Sequence, residues 1–134
     1  MDHQIEVKYL GDLRTESLHL DSKSTIISDA PKDHDGLGRK FAPTDLVVSA
    51  LGSCLLTIMG IVAKRQSIDM KGSYLHAQKN MGTNPRRIKN INIEIFLSKQ
   101  IKANQIKILK NAAKCCPVKF SLNRDIDINI KYTK

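Results

Sequence analysis

The chain has 134 residues with 22 Lys+Arg against 13 Asp+Glu, a formal net charge of +9 at pH 7. Hydrophobic residues make up 41% and aromatic residues 4%; abundant Ile, Leu and Val without low-complexity runs exclude intrinsic disorder. Three Cys in a chain of this length exclude a disulfide-stapled secreted scaffold, so one domain spanning residues 1–134 with its own core is expected. The opening Met1-Asp2-His3-Gln4-Ile5-Glu6 has no basic region followed by an apolar one. No signal peptide is therefore expected, and the expected compartment is the reducing cytoplasm.

The basic balance makes nucleic acid the first partner to test. Single-strand-binding surfaces interleave aromatic rings with basic residues. Here Tyr74, Phe96, Phe120 and Tyr132 are scattered among apolar positions and read as core or rim. The excess Lys is spread singly from Lys64 to Lys134, and Cys and His do not fall at zinc-finger spacing. The charge reads as a solvated, lysine-rich surface, with a nucleic-acid-binding module as a distant alternative.

Ile5-Glu6-Val7-Lys8-Tyr9 alternates apolar and charged residues and predicts a half-buried strand. Gly11-Asp12 supplies a turn, Leu13 to Leu20 a returning strand, and Ser24 to Ser28 a third. Asp29 to Gly38 is rich in Pro, Asp and Gly and reads as a loop. Pro43-Thr44-Asp45 then starts a long helix, with Thr44 or an upstream residue as its cap and Asp45 near its positive dipole end. Leu46 to Ala63 carries no charge, over a length at which a membrane span must be considered. Ser49, Gly52, Ser53, Thr57 and Gly60 dilute its hydrophobicity and strand-patterned segments flank it. A core helix or a dimer centre is the preferred reading, and no membrane is expected. A strand follows from about Met70 to Gln78, then a turn at Gly82 to Pro85. Ile91, Ile93, Ile95 and Leu97 alternate with Asn92, Glu94 and Phe96 as the clearest strand. Ile101 to Cys116 reads as a second helix that Pro117 ends, and Ile126 to Tyr132 as a closing strand. The fold class is α+β with mostly antiparallel pairing.

Cys54 lies in the middle of the apolar helix, and Cys116 stands directly before Pro117. On chemistry alone Cys54 is either a small buried hydrophobe or a reactive thiolate served by a cation from another segment. Phe41-Ala42-Pro43-Thr44-Asp45-Leu46 with Ala50-Leu51-Gly52-Ser53-Cys54 resembles the first signature of the OsmC/Ohr family (osmotically induced protein C, organic hydroperoxide resistance). Ala112-Ala113-Lys114-Cys115-Cys116-Pro117-Val118 with Ser121-Leu122 resembles the second. The likeness extends to Leu13-Arg14-Thr15-Glu16, Asp29-Ala30-Pro31 and Pro85-Arg86-Arg87-Ile88, in the same order along nearly the whole chain.

The resemblance implies an OsmC-like fold, an intertwined homodimer of α+β subunits in which the long Cys-bearing helix is central and packs against antiparallel sheets. It implies a thiol peroxidase acting on organic hydroperoxides, with Cys54 peroxidatic and Cys116 resolving, and with no bound cofactor. An external dithiol would reduce the resulting disulfide, a lipoyl protein being the family's precedent. Cys115 is left as a bystander, and no metal site is expected because Cys-x-x-Cys spacing is absent. Hydroperoxide-specialised members pair an Arg with a Glu directly after the helix-starting Pro. That position here is Thr44, and Asp45 is one residue further, turned about 100° around the helix. Arg14 is the first candidate for the activating cation and Arg39 the second, with Thr44 and Asp45 in support. His19 receives no role, and His34 reads as a solvated loop residue. Thr44 leaves a second reading open: a redox or small-molecule-binding stress protein of the same fold with weak or no peroxidase activity.

Overall fold

In the computed structural model, which describes residues 2–134, the three N-terminal segments pair as an antiparallel meander. Its strands are β1 (Ile5–Gly11), β2 (Arg14–His19) and β3 (Thr25–Asp29), in the order β1-β2-β3. The hairpin turn puts Asp12 and Leu13 at positive φ, 51° and 62°, the backbone hand that suits a tight strand reversal. A 3-10 turn at Lys32–His34 interrupts the loop, and Gly38 N–H returns to Ala30 O at 3.1 Å. Gly36 is obligatory in this loop, since a Cβ there would lie 1.8 Å from Ala30 O. The alternation in β1 predicts a half-buried strand; instead Ile5, Val7 and Tyr9 are 59%, 60% and 67% exposed. Among the described residues of this unit, Met1–Leu46, which holds the single sheet β1-β2-β3, no second layer covers them.

Helix α1 (Pro43–Arg65) crosses the boundary between this unit and the second, Val47–Lys134. Pro43 takes the first helical position, where its missing N–H costs nothing. Thr44 is therefore inside the helix rather than its cap, and Asp45 Oδ2 accepts the Ala42 N–H at 2.9 Å. Val48, Leu51, Leu55, Met59 and Ala63 recur at three- and four-residue steps and form the buried stripe. Gly52 also belongs to it, and a Cβ there would lie only 3.0 Å from Leu75 Cδ1. Ser49, Ala50, Ser53, Thr57 and Ile61 face outward. By length and composition α1 is apolar enough to cross a membrane, with a mean hydropathy of 2.3 and 33% of that window buried.

The second sheet has the order β4-β5-β6, from β4 (Tyr74–Gly82), β5 (Arg87–Phe96) and β6 (Asp127–Thr133). Strand β4 starts four residues later than expected because Asp69 Oδ1 takes the Lys71 N–H and Ser73 N–H closes on Met70 O, making a turn there. Strands β4 and β5 are antiparallel, but β5 and β6 run parallel, Ile91 opposite Ile128 and Ile93 opposite Ile130. Pairing among the described strands is thus mostly antiparallel, as expected, and β5–β6 is the exception because the path between them passes through helices, a crossover that returns a strand parallel. Ile91, Ile93, Ile95 and Leu97 are buried together with Leu51, Leu55 and Met59 in one core.

Two helices lie between β5 and β6. Helix α2 (Ala103–Ala113) ends three residues before Cys116, and a short helix α3 (Pro117–Ser121) follows. The sequence reading runs one helix through to Cys116 and misses α3. Proline cannot continue a helix comfortably, yet it opens one well. Cys116 accordingly takes the extended conformation of a residue before Pro, φ −68° and ψ 113°, and caps α3. Phe120 and Tyr74, read as core or rim, are 76% and 51% exposed.

Candidate active site

Two clusters of chemically active side chains stand out, one in each unit. In the second unit, α1 carries Cys54 half-buried, and the α2–α3 turn carries Cys116 fully buried. Cys54 packs against the core that holds Cys116, and the two thiols are near enough to influence each other. The three Cys are all free thiols. Lys119 N–H donates to Cys116 Sγ at 3.4 Å, as the first turn of α3 closes on its cap. Burial pushes the Cys116 thiol up from its ordinary value, and the neighbouring Cys54 thiol pushes the same way. The N–H groups of Lys119 and Val118 oppose this without reversing it. Cys115, one residue earlier, is exposed in the turn. Side by side in sequence, the two cysteines face opposite environments.

In the first unit Arg14 and Arg39 converge on Asp29. Arg14 Nε meets Asp29 Oδ1 at 2.7 Å, and Arg39 Nε meets Oδ2 at 3.0 Å. Arg39 N–H adds a bond to Oδ2 at 3.0 Å. Asp29 is 1% exposed, while the arginine side chains are 29% and 45% exposed. Burial alone would raise the Asp29 carboxyl, but the bonds from Arg39 and Arg14 outweigh it and hold the group below the usual carboxylate range. Thr15 Oγ1 and Ser28 Oγ share a hydrogen bond at 2.5 Å beside it.

The sequence reading named both arginines but gave Asp29 no role, placing it in a loop and in the family likeness only. The signal was available in register: on the β2–β3 ladder Arg14 stands directly opposite Asp29. Asp45, named as a support, has the Ala42 N–H on its carboxylate and so closes the helix start. Thr44 is half-buried in the first turn of α1. His19 Nδ1 lies 2.7 Å from Ser22 Oγ at an exposed turn, and His34 ends the 3-10 turn. Among the described residues no group of three or more His, Cys, Asp or Glu is placed to hold a metal ion.

A pair of neighbouring thiols can do two-electron redox chemistry: one sulfur is oxidised, and the other condenses with it to a disulfide. A pair of guanidiniums anchored on one carboxylate carries a net positive charge and suits an anion or a polar oxygen.

Comparison with known proteins agrees with this geometry. A Psychrobacter arcticus protein whose name refers to osmotic stress induction and a detoxification response superposes with a TM-score of 0.94 at 39% identity, covering 99% of this chain and 97% of its own. An organic hydroperoxide resistance protein OsmC from Legionella pneumophila shares the fold at 14% identity and TM-score 0.77, covering 100% and 99%. The organic hydroperoxide resistance protein OhrB of Bacillus subtilis does so at 16% and 0.72, covering 99% and 98%. No curated protein matches in sequence. The OsmC-like protein family model matches residues 34–131, which include both cysteines of the pair, and the chain belongs to that family.

Proposed function

We propose that the protein is a thiol-dependent peroxidase that reduces organic hydroperoxides and protects against oxidative stress. The observation that carries this reading is the pairing of Cys54 with Cys116, whose sulfur caps α3 and whose thiol is pushed up by burial. In the first step the Cys54 thiolate attacks the outer peroxide oxygen. The O–O bond breaks, the alkoxide takes a proton and leaves as the alcohol, and Cys54 becomes a sulfenic acid. In the second step the Cys116 sulfur attacks the Cys54 sulfur, the Cys116 proton joins the departing hydroxide as water, and a disulfide forms. An external dithiol, such as a lipoyl protein, then returns both thiols, and no bound cofactor takes part.

Within this proposal Arg14 is the first candidate for the activating cation and Arg39 the second, their orientation set by Asp29 rather than by an acid at the helix start. We place the working unit in an intertwined homodimer in the cytoplasm. The uncovered side chains of β1 and the outward face of α1 support the dimer: Ile5, Val7, Tyr9 and Ile61 are 59%, 60%, 67% and 44% exposed. The alternative, a redox or ligand-binding stress protein of this fold with weak peroxidase activity, is favoured only by Thr44 at the position of the expected acid.

Turnover of cumene hydroperoxide and of hydrogen peroxide with dithiothreitol decides between them. The proposal predicts rapid consumption of the organic peroxide, abolished in Cys54→Ser. Wild type that consumes neither peroxide leaves the alternative standing.

A further inference from the structure

The lysines that look evenly spread in the sequence are gathered by the fold. A groove of about 310 Å³ between α2 and the edge strand β6 is lined by Lys107, Lys110, Lys114 and Lys119, with Ala113, Ile130 and Tyr132 among its other walls. Lys107, Lys110 and Lys114 follow at steps of three and four residues, which places them on one side of α2 and its C-terminal turn. Lys119 joins them from α3, and no acidic residue lines the groove. Among the described residues, none of these lysines forms an ion pair.

Some of this charge has a local explanation. Lys110 and Lys114 lie at the C-terminal end of α2, where cations favour the helix dipole. Lys119 likewise lies in the last turn of the short helix α3, but Lys107, midway along α2, has no such reason to be there. Ammonium groups converging without counter-charge repel one another, and an anionic partner relieves that repulsion. The lining also discriminates between partners. Single-stranded nucleic acid needs an open ring to stack on, but Tyr132 is half-buried and Lys110 Nζ sits 5.0 Å from its centroid. A protein surface rich in Asp and Glu, with an apolar contact for Ala113 and Ile130, fits the groove's charge and floor.

Position supplies the purpose. Lys114 and Lys119 bracket the Cys115-Cys116-Pro117 turn, and the Lys119 N–H is itself bonded to Cys116 Sγ. We propose that this groove is the docking site for an acidic protein carrying the reducing dithiol. The inference rests on the peroxidase reading above, since that cycle ends in a Cys54–Cys116 disulfide. The carrier's first thiolate attacks Sγ of Cys54, forming a mixed disulfide and releasing Cys116 as a thiolate that takes up a proton. The carrier's second thiolate attacks its own sulfur in the mixed disulfide, freeing Cys54 and leaving the carrier oxidised. Two electrons and two protons pass from carrier to protein.

The test compares wild type with the triple variant Lys107→Glu, Lys110→Glu, Lys114→Glu. Cumene hydroperoxide turnover is driven either by dithiothreitol or by a reduced lipoylated domain with an excess of Asp and Glu. Charge reversal is expected to lower kcat/KM for the domain at least about tenfold, because rim and groove charges act on encounter and retention of a charged partner. The rate with dithiothreitol should stay within about twofold, which also certifies that the variant is folded. A milder Lys→Gln triple variant should fall between. Binding of the oxidised domain, followed by NMR shift changes, should map to the groove in wild type and weaken as salt screens it. A variant recycled by the domain as well as wild type overturns the docking site and leaves the peroxidase reading intact. So does a labelled single-stranded oligonucleotide that occupies the groove when the domain does not. Wild type that dithiothreitol cannot recycle overturns both.

Discussion

Asp29 holds two guanidiniums with one carboxylate, so its loss is felt at both. Asp29→Asn keeps the size of the side chain but removes the charge that Arg14 Nε and Arg39 Nε approach at 2.7 and 3.0 Å. On the peroxidase reading, freed arginines lower kcat/KM for organic peroxide by about tenfold or more, an effect read directly from steady-state turnover. The same residue predicts a pH dependence. Its folded pKa lies below its ordinary value, so the stabilisation is complete above about pH 4 and is lost as pH falls through the lower folded value. Glu94 titrates in the same direction, held down first by the hydrogen bond from Thr133. The informative quantity is therefore a difference: acid titrations of stability followed by circular dichroism should be shallower for Asp29→Asn than for wild type. At the cysteines, Cys116→Ser should still reduce one equivalent of peroxide and then stall with Cys54 as sulfenic acid, which a dimedone label reports by mass. The cysteines and both arginines were legible in the sequence because they sit in motifs or at turns. Asp29 was not, because its meaning lies in cross-strand register with Arg14, and a loop-like composition hid the end of β3.

At the scale of elements, α1 does two jobs with two faces. Leu55, one residue after Cys54, is fully buried. Leu55→Ala should cost about 2–5 kcal/mol through lost burial and the cavity left behind, measured by urea unfolding. Helix α1 and the strand Ile91–Leu97 were readable because uninterrupted apolar character and strict alternation each favour one backbone period. The α2–α3 break was not, since a single Pro is equally a terminator of one helix and the opening of the next. That ambiguity matters chemically: α3 supplies the Lys119 N–H that meets Cys116. The parallel partner of β5 also escaped pattern reading, because alternation reports which face is buried and not which way the neighbouring strand runs.

For the whole molecule, the proposed dimer would cover apolar residues that the single chain leaves outside its core. The exposed Ile5, Val7 and Tyr9 of β1 lie on a strand whose outer edge is unpaired among the described residues. Light scattering should give twice the 15.0 kDa of one chain, and Val7→Asp should shift the equilibrium toward monomer if β1 is part of the interface. The charge of +9, which first invites nucleic acid, acquires a place once the groove beside α2 is seen; sequence spacing alone could not gather lysines from two helices. The central claim is that Cys54 and Cys116 form a working redox pair, and one measurement reaches it most directly. Reduced wild type is treated with one equivalent of cumene hydroperoxide, free thiols are blocked, and the digest is read by mass spectrometry. The account predicts an intramolecular Cys54–Cys116 disulfide with Cys115 still free. Unchanged thiols, or oxidation confined to the exposed Cys115, would contradict it.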